Sequence, residues 1–382
     1  MALDDVYVVG WGMTPFGRHV DSGVALGARA LEDAIASAEV ERRDVDALYV
    51  GHVYGGMVAG ERVGALAGLA GIPTLNVENA CASGSSAVIE AAYAITSGRY
   101  DVVAVCGFEK LSQGGGMLAP ADDDYEGQLG LVFPAWHAMR ARLYMHEYGV
   151  SRDDLSAVAV KNRSHGIHNP LAQFSEPITI DAVSNAREIA SPLRLLDCCP
   201  RGDGAAAVVL AGKSYLSAAR RRLGTVAQLL GAGLTSGGPD GTYSPLFEDI
   251  TMRTASAAFA DTKVTRRDVS FAEVHDCFSI AEPFRVEGLG LCEPGSYFQH
   301  LRDGRWDLGG AVTINPSGGL LSKGHPLGAT GVAQICEVAT QFAGRAGGRQ
   351  VATADVALTH TRGGSVPGTE GGSCAVIVCA AV

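Results

Sequence analysis

The chain has 382 residues, a formal net charge of −11, 47% hydrophobic and 19% charged residues. That length suits two fused units, and the apolar share supports a large core. No basic tract relieves the acidic balance, and no run of about 18 apolar residues occurs, so a nucleic-acid partner, an anionic membrane surface and a membrane span are all disfavoured.

The start, MALDDVYVVGWG, carries acid and only a short apolar run, so no signal peptide is expected. Nine cysteines form an odd set without disulfide or zinc spacing, which reads as reduced thiols in a cytoplasmic protein. In chain order, VYVVG (6–10) and ALYVG (47–51) predict strands. SGSSAVIEAAYAITSG (83–98) predicts a helix, and DVVAVCG (101–107) a third strand. Residues from about 111 to 195 read as an inserted loop domain: GGGMLAPADDDYEG, then a helical AWHAMRARLYMHEYG. LDCCPRGDGAAAVVLAG (196–212) returns to the core. Farther on, GATGVAQICEVATQFAG (328–344) predicts a helix and ATADVALTH (352–360) a strand. The final Cys379-Ala-Ala-Val has the form of a prenylation box, but AVIVCAAV (375–382) lacks a polybasic lead and reads as a terminal strand.

Four stretches recur in the same order. VVGWG (8–12) corresponds to LLGAG (229–233), and RRDVDALYVGHV (42–53) to RRDVSFAEVHDC (266–277). ACASGSSAVIEAA (80–92) corresponds to GHPLGATGVAQIC (324–336), and DVVAVCGF (101–108) to DVALTHTR (355–362). A duplicated α/β unit follows, with halves at 1–222 and 223–382. Alternating strands and helices argue a mostly parallel sheet in each, and shared central helices would make a layered αβαβα sandwich. The duplication also places Cys81 and His325 at equivalent positions, each at the N-terminus of a central helix. Cys277 and His275 fall near the end of one strand, and His360 at the end of another, at the carboxyl edges where open α/β sheets bind ligands. Helix N–H groups and a neighbouring imidazole favour a reactive thiolate at Cys81 and can stabilise an oxyanion beside it. The remaining thiols, Cys106, Cys198, Cys199, Cys292, Cys336, Cys374 and Cys379, read as small buried hydrophobes.

ENACASGS (78–85), EVHDCFSIAE (273–282) and NPSGGLLSKGHPLGATG (315–331) together resemble the thiolases, and HDCF (275–278) the sterol-carrier-protein type, over essentially the whole chain. The resemblance implies a five-layered αβαβα fold and a chain that ends with the thiolase part, without the sterol-carrier domain. It implies Cys81 as the acylated nucleophile and His325 as the group that deprotonates it. His275 stands where other thiolases carry Asn, ordering an oxyanion-hole water, and Cys277 is the second acid/base. His360 replaces the usual C-terminal Cys. The backbone of Cys81 with Gly363 or Gly364 supplies the other oxyanion hole. The implied reaction is reversible Claisen condensation or thiolysis of 3-ketoacyl-CoA, within lipid metabolism such as fatty acid β-oxidation. Coenzyme A is a substrate, no metal or redox cofactor is needed, and a homodimer or homotetramer is expected.

The loop at 361–373 is longer than usual for such proteins and borders the expected site. His52 and Asp203 read as structural groups, and His165 and His168 as surface or loop residues of the insertion. The alternatives are a CoA-ester retro-aldolase or acyltransferase working with an OB-fold partner, and a non-catalytic lipid- or CoA-binding subunit. Retention of Cys81 and of GHP at 324–326 favours the active thiolase.

Overall fold

The protein is described by a computed structural model, covering residues 2–112, 122–239, 244–247 and 249–382. Its first half contributes β1 (Ala2–Met13), β2 (Ala47–Gly51), β3 (Thr74–Val77), β4 (Val102–Lys110) and β5 (Asp203–Ala211). Its second half contributes β6 (Ala227–Ser236), β7 (Phe271–Glu273), β8 (Thr313–Ile314), β9 (Val356–Gly363) and β10 (Ser373–Ala381). The strand order is β3-β2-β4-β5-β1 in one half and β8-β7-β9-β10-β6 in the other, so each strand has its counterpart five places later. In both, three strands run parallel and the last of the five is antiparallel to its neighbours. The two first strands, β1 and β6, pair antiparallel with Val6 opposite Leu229, which joins the halves edge to edge.

Strand alternation sorts the core into layers. Val103 and Val105 of β4, with Ala375 and Ile377 of β10, face a central layer. Between them, Ala104, Cys106 and Phe108 face an outer layer under α1 (Gly23–Ala38). The central layer holds α2 (Ser83–Thr96) and α6 (Leu327–Phe342), whose residues are almost all buried. A helix apolar on every side is stable only when enclosed. The insertion between β4 and β5 adds α3 (Phe133–Tyr148) and α4 (Arg152–Gly166). Although this segment belongs to the first half, Ala141, Tyr144 and Leu155 pack with α5 (Asp249–Phe259) over the outer face of the second half. The start of the inserted segment, residues 113–121, lies outside the described residues.

The expected five-layered αβαβα sandwich, its duplication and its insertion are all present. The AVIVCAAV segment lies in β10, as its pattern predicts.

The central helices meet through glycine. A Cβ on Gly84 would stand 2.5 Å from the carbonyl oxygen of Gly328, and one on Gly331 would overlap Ser85. A Cβ on Gly328 would in turn stand 2.5 Å from the carbonyl of Gly51. Such separations leave no room for a methyl group, so the helices must part or the strands must shift. Gly84→Ala should therefore lower stability by about 1–3 kcal/mol in urea unfolding, the usual effect of overpacking. Gly212→Ala, whose added carbon meets nothing closer than 3.9 Å, should stay within about 0.5 kcal/mol.

Candidate active site

Cys81 lies in a five-residue turn between β3 and α2, one residue before the helix cap at Ala82. Asn79 N–H donates to Ser83 Oγ at 2.9 Å, and its side-chain amide donates to Ser86 Oγ at 2.9 Å. The Ser83 hydroxyl donates to the Ala80 carbonyl at 2.6 Å. These bonds hold Ala80 at φ 48°, in the left-handed region that non-glycine residues rarely adopt. The serines of ACASGSS thus close the turn that presents the thiol.

His325 occupies the matching place, one residue before the α6 cap at Pro326. Its Nδ1 lies 2.8 Å from Thr330 Oγ1, and that hydroxyl gives its own hydrogen to the Pro326 carbonyl at 2.9 Å. Thr330 must therefore accept from His325, which puts the ring hydrogen on Nδ1 and leaves Nε2 with a lone pair. Burial holds the imidazole down to about 3, so it is neutral at ordinary pH. The GHP segment is anchored by Lys323, buried against Glu273 at 3.2 Å. Glu273 also accepts from the backbone and hydroxyl of Ser317, at 2.9 and 2.7 Å.

The HDCF loop follows β7. Asn315, at φ 57°, accepts from Val274 N–H at 2.8 Å and donates to Glu282 at 2.9 Å. Asp276 accepts from the N–H groups of Leu320 and Leu321 and from Asn162, at 2.6, 3.3 and 2.8 Å. With Asp276 tied inward, His275 is delivered to His325, the rings meeting edge to face with centroids 4.9 Å apart. Cys81 Sγ and one nitrogen each of His275 and His325 lie within 4.8 Å of one another. Among the described residues these three are also the one grouping of such side chains able to hold a metal ion. Cys277 is partly buried beside them, its Sγ 3.7 Å from His137 Nε2.

The electrostatics differ from the expected thiolate. Burial and the neighbouring Cys277 raise the Cys81 thiol well above its ordinary range, outweighing the opposing hydrogen bond from Gly364 N–H. Burial likewise lifts Cys277 to about 11, against the pull of Arg285 and Arg362. His275 is held well below its usual value by burial first and by His325 second. Burial thus works against charge on both thiols and both imidazoles. The helix end favours an anion by about a kilocalorie, and desolvation of the thiol acts against it.

Gly363 and Gly364 sit against the Cys81 turn. A Cβ on Gly363 would overlap the Asn79 carbonyl, and Gly364 is at φ 70°. It is the Gly364 N–H that reaches the sulfur. The loop that follows, 364–372, links β9 to β10, and Ser373 Oγ donates to Asn79 O at 3.1 Å.

His360 is not among the three groups that meet at Cys81, although it lies close enough to His275 to oppose its protonation. Its strand neighbour Thr361 faces the central helices and bonds Ser85 at 2.9 Å. His360 points through the other face of β9, where its Nε2 lies 3.1 Å from Thr251 on α5 and 3.5 Å from Cys374 Sγ. Its counterpart Cys106 faces α1 in the same way, bonding Gly27 O at 3.5 Å. The strand period of two decides this. His52 bonds Asn76 at 3.1 Å, and Asp203 accepts from His19 N–H, Lys110 and Ser112, so both serve structure as expected. His165 differs from expectation: it is buried, bonding Asn315 O at 3.1 Å and accepting from Leu308 N–H at 3.2 Å. His168 is exposed. Cys198, Cys199 and Cys292 are only partly buried, while Cys106, Cys336, Cys374 and Cys379 are fully so.

Sequence reading missed His137, Arg285, Arg362 and Glu109. The first three reach Cys277 from three different elements, so no spacing announces them. Glu109 accepts from Val53 and Tyr54 N–H, both at 3.0 Å, and from Gly328 N–H at 3.3 Å in the first turn of α6. Its position just after DVVAVCGF, opposite Gly363 in the repeat, was the available signal.

A duplicated αβαβα core that sets a thiol and an imidazole on paired helix ends defines an enzyme class that moves acyl groups through sulfur. Residues 6–214 match the thiolase N-terminal domain and residues 243–370 the thiolase C-terminal domain-like family, and the chain belongs to the thiolase family of acyltransferases. It is 39% identical to an acetyl-CoA acetyltransferase of Methanothermobacter thermautotrophicus, over 98% of this chain and 99% of that one. It is 38% identical to the benzoylsuccinyl-CoA thiolase subunit BbsB of Thauera aromatica, over 94% of each. Human sterol carrier protein 2 is 35% identical over 94% of this chain and 70% of that protein. Among solved structures, the Ltp2-ChsH2(DUF35) aldolase aligns with a TM-score of 0.84 at 27% identity, covering 98% of both chains. Human mitochondrial 3-ketoacyl-CoA thiolase shares the fold, with a TM-score of 0.74 at 16% identity over 100% and 99% of the chains.

The raised Cys81 thiol has a measurable consequence. Its thiolate fraction falls about tenfold for each pH unit below its pKa, so alkylation by iodoacetamide should climb steadily from pH 6 to 9. Peptide mass spectrometry of the Cys81 adduct checks it. A plateau between pH 5 and 7 would instead indicate a standing thiolate–imidazolium pair.

Proposed function

We propose that the protein is an acyl-CoA:acetyl-CoA C-acyltransferase working through acyl-Cys81. The carrying observation is the convergence of Cys81 Sγ with one nitrogen each of His325 and His275, beside the N–H of Gly364. As Cys81 Sγ bonds the carbonyl carbon of a 3-ketoacyl-CoA, its proton passes to His325 Nε2. The oxyanion is stabilised by the backbone N–H groups of Cys81 and Gly364. Collapse breaks the carbon–carbon bond, and the departing acetyl-CoA enolate takes a proton from Cys277 while His275 stabilises its oxygen, directly or through water. The proton held by His325 restores Cys277, and a second CoA thiol then collects the acyl group, its own proton passing through His325 to the released Cys81 sulfur. Condensation is the same path reversed, a ping-pong scheme with two chemical half-reactions. The catalytic set is Cys81, His325, His275 and Cys277, with His360 supporting the sheet beneath them. No metal or redox group is needed for these steps, and CoA is a substrate.

Self-association through β3 is part of the proposal. It is an outermost strand of the ten-stranded sheet, with Leu75 exposed on it and Met57 and Val58 exposed nearby. Among the described residues no helix is long and apolar enough to cross a membrane.

The likeness to the Ltp2-ChsH2(DUF35) aldolase favours a second reading, a CoA-ester retro-aldolase assembled with an OB-fold partner. Acyl transfer explains the paired Cys81 and His325 better, because an aldol cleavage forms no acyl-sulfur bond.

Intact mass after incubation with acetyl-CoA or acetoacetyl-CoA decides between them. An acyl adduct is expected in the wild type and none in Cys81→Ser; a folded wild type that takes no adduct from any acyl-CoA loses the acyltransferase reading. Cys277→Ala should keep the adduct yet lose acetoacetyl-CoA synthesis by at least about 100-fold, the usual weight of one general acid–base group.

A further inference from the structure

Helix α3 is first-half chain, yet it carries a buried histidine across to the second-half loop that holds Cys277. His137 Nε2 lies 3.7 Å from Cys277 Sγ, within range for a sulfur hydrogen bond. Its Nδ1 lies 2.9 Å from the carbonyl of Phe133, one turn earlier in α3. A carbonyl only accepts, so Nδ1 bears the hydrogen. The ring is neutral, because burial first and Arg285 second hold it well below the usual histidine range. Its remaining lone pair, on Nε2, therefore faces the thiol. Phe278 and Trp136 fix the ring plane, at centroid distances of 4.3 and 4.9 Å.

We propose that His137 is a positioning residue that acts through Cys277 as its proton relay in the carbon–carbon step. The inference rests on the acyltransferase reading of the same site. In condensation, the α-proton of acetyl-CoA passes to Cys277 Sγ while the Sγ proton passes to His137 Nε2. The C–H electron pair becomes the enolate, whose carbon bonds the carbonyl carbon on Cys81. The acyl–sulfur bond breaks, and the extra proton travels from the relay by way of His325 Nε2 to the departing Cys81 sulfur. In thiolysis the same proton travels back, and the S–H of Cys277 protonates the enolate carbon.

The surroundings favour a concerted relay over a standing ion pair. Arg285 and Arg362 reach both groups from the helix at Ala281–Gly288 and from β9, and Arg140 reaches His137 from α3 itself. They draw Cys277 toward thiolate but oppose an imidazolium. Asp276 opposes the thiolate from its own loop. His275 lies near His137, and the thiols Cys81, Cys198 and Cys199 lie near Cys277, each raised by burial first. With the relay present, no thiolate need exist before the α-proton moves. Without it, only the ionised fraction of Cys277 can act as base, and that fraction falls about tenfold for each pH unit below its pKa.

The test is exchange of the α-protons of acetyl-CoA with D2O between pH 6 and 9, read by NMR, with Cys81 acylation followed by intact mass on the same samples. Wild type should change by less than about threefold over that range. His137→Gln and His137→Asn should acylate Cys81 normally but exchange at least about 100-fold more slowly at pH 6, rising about tenfold per pH unit. Cys277→Ala should not exchange at any pH. A wild type that never acylates defeats the underlying function, not the relay alone. Acylated His137 variants whose exchange keeps the flat wild-type profile overturn the relay. Loss of acylation in both His137 variants overturns it too, because a group acting through Cys277 is not needed to load Cys81.

Discussion

The contact between α2 and α6 at Gly84, Gly328 and Gly331 is the constraint on which the site depends. Two helices that touch backbone to backbone bring their N-terminal ends together, and Cys81 and His325 are the residues just before those ends. Neither side chain is long, so the thiol and imidazole meet only if the helices do. The same closeness brings Gly328 N–H to Glu109, which ties the second-half helix to a first-half strand. The halves are thus locked at the point where their chemistry is shared, by packing that tolerates no additional methyl group.

Around that contact, buried charge and polarity orient the moving parts. Lys323 and Glu273 pair out of water, which joins the GHP segment to the strand leading into HDCF. Lys161 and Glu282 form a second buried pair at 2.9 Å, and Asn162 donates to both Glu282 and Asp276, at 2.6 and 2.8 Å. Buried pairs of this kind add little net stability, but removing one partner leaves a costly charge. Their consequence here is geometric. Asp276 is drawn away from solvent into α4 and the 320–321 backbone, which turns His275 and Cys277 toward Cys81. Burial disfavours charge on Cys81, Cys277, His275 and His325 themselves, so the fixed ion pairs lie around the cluster and not within it.

The duplication, its collinear order and the placing of Cys81 opposite His325 were legible in the chain, because a repeated unit imposes repeated positions. The insertion was legible as a stretch without a counterpart. Its destination was not. Nothing in AWHAMRARLYMHEYG says that a first-half helix will cover the second-half sheet and bring His137 to Cys277. His360 was misplaced for a simpler reason: standing at a strand end says nothing about which face a side chain takes. The repeat held the answer, since Cys106 at the equivalent position faces the outer helix.

Sequence alone determined the sandwich, the family and the placing of Cys81 opposite His325, since these are written in local patterns: alternating strands, small residues at close helix contacts, and motif residues adjacent in the chain. Tertiary structure decided how deeply these groups are buried and which side chains surround them. Burial, which no local pattern reports, raises the thiols and lowers the imidazoles. Contacts between residues more than a hundred positions apart chose which of the many histidines and arginines stand beside Cys81 and Cys277.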